Sequence, residues 1–282
     1  MPVADVPAAG SGAEPAVGSA AEPAAAEPAA GADSGLGVLP SRVALTRAGD
    51  AARALARDGA VLLTGAEGDA DGLVVAAATV LGARLRELYP PRERTSRDGG
   101  RVHLHADGLD LVVDVGGVPV RRRHPDEDHV LVQGVAPAPS GGASLVLDAY
   151  RFVDRLAVAD PELHAFLTTV DVDLYGAWAG LRGLPARPRV ARHVEFTRGG
   201  RRVVRRTDGA VPIHRDPLAG HVRAMLARFE ERVWATEAAL PRFTLAAGEI
   251  LLLDNYRCWH GRDPHSGERT VRILTLRGVD AR

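Results

Sequence analysis

Two histidines and an aspartate alternate in "RVHLHADG": His103, His105 and Asp107. On an extended segment residues i, i+2 and i+4 share one face, so three potential metal donors point the same way. A His-x-Asp pair is the short half of a 2-His-1-carboxylate site, which holds Fe(II) on one side and leaves positions open for a co-substrate and dioxygen. The pattern is short enough to arise by chance, and "HPDED" holds a second copy in His124 and Asp126. There Pro125 cannot donate to a ladder and marks a turn before the apolar run "HVLVQGVA", which favours His105 and Asp107. The third donor must come from far away, and His260 in "LDNYRCWHGRD" offers one. More than half of the chain separates it from His105, too much for a local zinc motif but natural for a site closed between opposite strands. Further on, "ERTVRILTL" carries Arg269 and Arg272. A guanidinium fork on such a strand can grip a carboxylate bidentately, as the far end of a dicarboxylate such as 2-oxoglutarate requires. Taken singly, such an arginine is better explained by a solvated strand face. The order of the features carries the reading: His-x-Asp, apolar hairpin, distal His, then Arg. His265 is expected in a surface turn.

The rest of the composition narrows the chemistry. All 35 basic residues are arginine, since the chain of 282 residues has no lysine. That excludes Schiff-base catalysis, a pyridoxal phosphate anchor and a P-loop lysine. With Cys258 as the single cysteine, disulfide frameworks and cysteine-based zinc or iron–sulfur sites are excluded too. A metal must be held by His and carboxylate, which suits a cytoplasmic iron, manganese or zinc protein. A net charge of −1 gives no global attraction to nucleic acid or membrane, and no apolar run is long enough to span a bilayer.

These residues need elements to position them. Residues 1–40, rich in Ala, Pro, Gly and Glu without apolar periodicity, are expected to be a disordered tail and make a poor signal peptide. From there, "TRAGDAARALARDGAVLLTG" predicts an amphipathic helix, a turn at Gly59 and a strand over Ala60–Thr64. "DGLVVAAATVLGARLRELY" predicts a second helix, and "LDLVVDV", "HVLVQGVA" and "ASLVLDA" predict strands. "AYRFVDRLAVADPELHAFLTTV" is helical with a restart at Asp160-Pro161. The Arg-rich stretch 175–215 is irregular, with "RHVEFTRGGRRVVRRTDG" expected as a hairpin with a solvated basic face or as a lid over an anionic substrate. A long helix over "PLAGHVRAMLARFEERVWATEAA" and strands in "RFTLAAGEILLLDN" and "TVRILTLRG" complete a β-barrel or sandwich core with helical cover.

The chain resembles the Fe(II)/2-oxoglutarate-dependent dioxygenases of the taurine dioxygenase and clavaminate synthase-like superfamily. "ARDGAVLLTG" is similar to the family's opening helix and strand, and "LHADG" to its first ligand pair. "VLVQGVAPAPSGGASLVLDAYRFVDRL" is similar to the strand, turns and helix that follow, and "FTLAAGEILLLDNYRCWHGR" to its hairpin and distal His-Gly-Arg. The resemblance implies an α+β, mainly β fold: a double-stranded β-helix, or jelly roll, with flanking helices, occupying residues 41–282 as one domain. It implies His105, Asp107 and His260 as iron ligands, and Fe(II), 2-oxoglutarate and O2 as cofactors. Arg269 becomes the partner of the distal 2-oxoglutarate carboxylate, with Arg272 as the anchor if the register differs. Ser144 in "GGAS" matches a hydroxyl that often reaches the same co-substrate, and is otherwise a cap on the Gly-Gly bend. Many relatives carry a second arginine where this chain has Ile273, and the spacer "LDLVVDVGGVPVRRR" is longer than usual. The implied activity is hydroxylation, desaturation or cyclisation of a small molecule, an amino acid or natural-product intermediate, with release of succinate and CO2. A non-catalytic binding module and a zinc hydrolase on the same donors are the alternatives. The sequence does not specify the substrate or the oligomeric state.

Overall fold

The computed structural model describes residues 35–281 apart from 109, 116–117, 124–126 and 179–188. The tail expectation for positions up to 34, the rival pair His124 and Asp126, and part of the expected lid therefore lie outside the described residues. In chain order the strands are β1 (Ser41–Ala44), β2 (Ala60–Thr64), β3 (Leu85–Leu88), β4 (Arg92–Arg97), β5 (Val102–His105), β6 (Asp110–Val115), β7 (Val118–Arg123), β8 (His129–Ala136) and β9 (Ser140–Gly141). They continue as β10 (Ser144–Asp148), β11 (Val172–Asp173), β12 (Val190–Ala191), β13 (Val194–Phe196), β14 (Arg202–Val204), β15 (Ile250–Asp254), β16 (Cys258–Arg262), β17 (His265–Ser266) and β18 (Glu268–Gly278). The helices are α1 (Ala48–Asp58), α2 (Ala70–Leu81), α3 (Ala149–Ala159), α4 (Pro161–Thr169) and α5 (Ala219–Ala238).

Two sheets organise the molecule. The larger runs β1-β2-β15-β8-β18-β3, with β4 also paired to β18, and the smaller runs β10-β16-β5. Strands such as "AVLLT" and "ILLLD" are apolar and buried at their first four positions because both faces of the larger sheet are covered. Val61, Leu63, Leu131, Ile250, Leu252 and Leu274 face the buried residues of α1 and α2. Leu62, Val130, Leu251, Leu253 and Val271 face inward and meet Val146 and Cys258 of the smaller sheet. The outer face of the smaller sheet, with Leu104, Leu145, Leu147 and Trp259, packs on Phe152, Phe166 and Phe229 of α3, α4 and α5. The fold is thus mixed α+β, with two face-to-face sheets between helical layers.

Most elements fall where periodicity places them. α1 stops at Gly59, whose φ of 76° returns its N–H to Leu55, and a Cβ there would lie 2.5 Å from Cys258 Sγ. Three expectations change. "DGLVVAAATVLGARLRELY" does not form one helix: α2 ends at Leu81, Gly82 takes a φ of 53°, and "LREL" becomes β3 against β18. Sheet pairing at an open edge outweighs the helix propensity of those four residues. Packed chain begins ahead of Ser41, since Leu36 and Val38 are buried, Val38 N–H donates to Val146 and Asp148 N–H to Leu36. The Arg-rich hairpin forms from β13 and β14, but its basic face is not solvated. Arg201 bridges the buried Asp128 and Asp254 at 2.6 and 2.7 Å, Arg205 pairs with Glu195, and the fully enclosed Arg206 pairs with Glu230. Among the described residues no helix is long and apolar enough to cross a membrane.

Candidate active site

β5 is an edge strand, and buried polar side chains hold it in place. Glu237 of α5, 2% exposed, accepts the Leu104 N–H at 3.1 Å and also pairs with Arg101 and His103. Burial opposes its charge, yet His103, the Leu104 amide and Arg101 keep its carboxyl below the usual range. Arg206 donates to the Leu104 carbonyl, and Ala106 N–H donates to the Arg206 carbonyl at 3.2 Å. Leu104 is therefore gripped on both its backbone groups from distant parts of the chain. His103, which shares alternation with His105, is drawn to Glu237 and lies against Trp234, outside the metal-donor group.

His105 ends β5 directly opposite His260 on β16, with ring centroids 4.5 Å apart. Asp107 lies beyond the strand, so alternation does not orient it. Asn255 does: its side chain accepts the Asp107 N–H at 2.9 Å and donates to the Asp107 carbonyl at 3.0 Å and the Glu127 carbonyl at 2.7 Å. His105 Nε2 stands 3.6 Å from Asp107 Oδ1, and His260 Nε2 stands 3.7 Å from Asp107 Oδ2. One donor atom from each of the three falls within 4.8 Å of the others. Bonds of about 2.1 Å to a shared ion place neighbouring donors roughly 3 Å apart, so small side-chain shifts complete the set.

The electrostatics fit a cation. Asp107 Oδ2 and His260 Nδ1 are buried and have no hydrogen-bond partner among the described residues. A buried carboxylate oxygen without a donor is costly, and a bound ion removes the cost. Burial opposes ionisation of Asp107, but the His105 hydrogen bond and the electropositive surroundings hold its carboxyl well below the normal range. His260 is pushed down to about 4, first by burial and then by His105, which keeps its ring neutral and able to ligate. His105 Nδ1–H donates to the His103 carbonyl at 2.9 Å, which frees Nε2 as the donor atom. The His105 side chain remains 31% exposed against 14% for the other two, so the group opens on one side.

Around this group the two arginines separate as alternation requires. Val271 and Ile273 belong to the inward core, which puts Arg269 on the face turned to the smaller sheet and Arg272 on the opposite face. Arg272 is saturated there by Glu93 at 2.9 Å, Gln133 and the Gly68 carbonyl. Arg269 meets no carboxylate among the described residues, and burial followed by the charge of Arg262 pushes its guanidinium down to about 10. A Cβ on Gly142 would come within 3.6 Å of Arg269 Cδ, so the arginine passes over the Gly-Gly bend that leads into Ser144. Ser144, 6% exposed, lies opposite Arg262 in the β10–β16 register, just as Val146 lies opposite His260. Ser144, Arg262 and His260 therefore share one face. Ile273 is part of the apolar lining beside them.

His265 is not a surface turn residue. It is 5% exposed on β17, its Nδ1 meets the Gly267 carbonyl and its Nε2 meets Ser96. Asn255, Glu237, Arg206 and Arg262 were not singled out by sequence reasoning. Asn255 and Arg262 do sit in the quoted "LDNYRCWHGR", where a polar residue ending an apolar strand was the available signal.

The layered fold and the His-Asp-His group define a non-haem metal oxygenase architecture. The family model for taurine catabolism dioxygenase TauD, TfdA family, matches residues 25–277. The chain belongs to this family, and it is an Fe(II)/2-oxoglutarate-dependent dioxygenase that uses Fe(II), 2-oxoglutarate and O2. No curated protein matches it in sequence. Among solved structures it is similar to AAD-2 in complex with Mn(II) and N-oxalylglycine, at 14% identity over 84% of this chain and 89% of that one, with a TM-score of 0.58. A taurine dioxygenase from Burkholderia xenovorans aligns at 17% identity over 88% and 92% of the two chains, with a TM-score of 0.59. PvcB, an Fe, alpha-ketoglutarate dependent oxygenase from an isonitrile synthetic pathway, aligns at 17% identity over 81% and 79%, with a TM-score of 0.50. At these identities the structural likeness establishes a shared fold.

Proposed function

We propose that the protein oxidises an unactivated C–H bond of a small molecule, an amino acid or natural-product intermediate, by hydroxylation, desaturation or ring closure, with release of succinate and CO2. In this reading the two sheets are the halves of a double-stranded β-helix, residues 41–282 are the dioxygenase domain, and the enzyme works in the cytoplasm. His105, Asp107 and His260 hold the iron, Arg269 grips the distal carboxylate of 2-oxoglutarate, and Ser144 adds a hydroxyl to the same co-substrate. Arg272 is left with Glu93 as a structural pair. Iron bound there supplies the activation of O2 that is coupled to decarboxylation of 2-oxoglutarate.

The chain's own contribution is position and dryness. The His103 carbonyl sets the tautomer of His105, Asn255 fixes the backbone of Asp107, and the inward core layer excludes water behind His260. The observation that carries the proposal is the buried Asp107 Oδ2, which has no hydrogen-bond partner among the described residues and lies between two imidazoles, on the same inner face as an arginine that meets no carboxylate among those residues. A zinc hydrolase on these donors has no use for that arginine. The test is succinate formation from 2-oxoglutarate, with and without O2, in protein loaded with Fe(II) or Zn(II). Oxygen-dependent succinate with iron alone is expected, and turnover of any substrate with zinc in the absence of oxygen would contradict the proposal.

A further inference from the structure

Arg92 opens β4 and lies opposite Ile273 in an unbroken β4–β18 register that runs to Arg97 opposite Glu268. Directly opposed residues share a face, so Arg92 projects with Ile273, Val271 and Arg269 towards the smaller sheet and the His-Asp-His group. It is half-buried, and its guanidinium makes one long contact, 3.5 Å to Thr275 Oγ1. No carboxylate pairs with it among the described residues. Arg201, Arg206 and Arg272 each meet one, and Arg269, the other of the inner-face pair, alone shares its lack.

Arg92 is not a second hand on the co-substrate carboxylate assigned to Arg269. Arg269 lies opposite Ser96, four residues along the same strand, which is about 13 Å at 3.3 Å per residue. Arg269 passes over Gly142, whereas Arg92 reaches Thr275. The inner face thus carries two separate cationic posts, one over the Gly-Gly bend before Ser144 and one beside Ile273 and Thr275. A half-buried guanidinium with no internal anion can donate bidentately to a planar anion supplied from outside. Ile273 next to it offers an apolar wall for the carbon skeleton that such an anion would carry.

We propose that Arg92 binds a carboxylate of the primary substrate and, with Ile273, sets the substrate's orientation relative to the metal donors. The inference rests on the functional reading above. It is tested by calorimetric titration of the full chain, loaded with Mn(II) and N-oxalylglycine so that no turnover occurs. The probes are L-amino acids and simple monocarboxylic acids, each matched with its neutral primary amide. Wild-type protein should bind acids about tenfold or more tightly than amides. Arg92→Gln should abolish that preference and Arg92→Lys should keep part of it, while both variants retain the wild-type affinity for N-oxalylglycine and melt cooperatively. Binding of no acid, equal binding of acids and amides, or a preference that survives in Arg92→Gln overturns the inference alone. So does a loss of N-oxalylglycine affinity in Arg92→Gln, which would place Arg92 on the co-substrate. A wild-type protein that takes up neither Mn(II) nor N-oxalylglycine overturns the functional reading and this inference with it.

Discussion

The two sheets are built on different principles. The larger is held by apolar layers on both faces, and its inner surface presents arginines as fixed posts. The smaller has three strands, and its edge strand β5 depends on Glu237, Arg206 and Asn255, which come from a helix, a hairpin and a turn remote in sequence. Hydrophobic burial makes a frame that tolerates small shifts, whereas a metal site needs donors fixed to fractions of an ångström. Buried polar contacts supply that precision, because each loses its hydrogen bond when the geometry slips.

The comparison breaks most visibly at the donors themselves. Asp107→Ala or His260→Ala should reduce 2-oxoglutarate turnover by at least about a thousandfold, roughly 4 kcal/mol of barrier, with little change in melting temperature. Turnover and calorimetry on the same preparations check both parts. A large loss of stability would mean that the donor group is part of the frame.

Next in size is an acid-lability expected on the smaller sheet's side. His193, 1% exposed against Phe229, is pushed down to about 4 by burial, although its Nδ1–H donates to the Arg205 carbonyl. The unfolded chain takes up the proton near pH 6.5 and the folded chain only near pH 4, so stability falls as pH drops through that window. The loss is at most about 3 kcal/mol, and His193→Gln should flatten the slope of denaturation midpoint against pH.

Asn255→Ala should weaken metal binding by about 10–100-fold through Asp107 without removing a donor, as measured by competition with a chelating dye. Smallest is the contrast within one strand of the frame. Arg269→Gln should lower 2-oxoglutarate affinity by about tenfold or more. Arg272→Gln should leave that affinity unchanged and cost about 1 kcal/mol or less of stability, since Glu93 is half exposed.

Legibility in the sequence follows the same division. β2, β8, β15 and β18 are apolar runs whose period and boundaries show directly, and alternation along β18 separates Arg269 from Arg272. The three residues that come together as candidate donors were singled out because His-x-Asp, the distal His and the arginine occur in order. What escaped was whatever depends on a partner far along the chain. "LREL" has helix propensity but meets β18, Arg201, Arg205 and Arg206 look solvated but pair with carboxylates remote or across the hairpin, and His265 looks like a turn but is enclosed beside Ser96. Nothing local marks Glu237 or Asn255 as supports of β5 and Asp107, since their role exists only once α5 and the β15–β16 turn have docked.

The central claim is that His105, Asp107 and His260 form one iron site that receives 2-oxoglutarate. Its most direct test is anaerobic addition of Fe(II) and then 2-oxoglutarate while the visible spectrum is followed. The account predicts a weak metal-to-ligand charge-transfer band in the wild type, absent without 2-oxoglutarate and absent in His260→Ala. No band in the wild type, or a band of equal strength in His260→Ala, would contradict it.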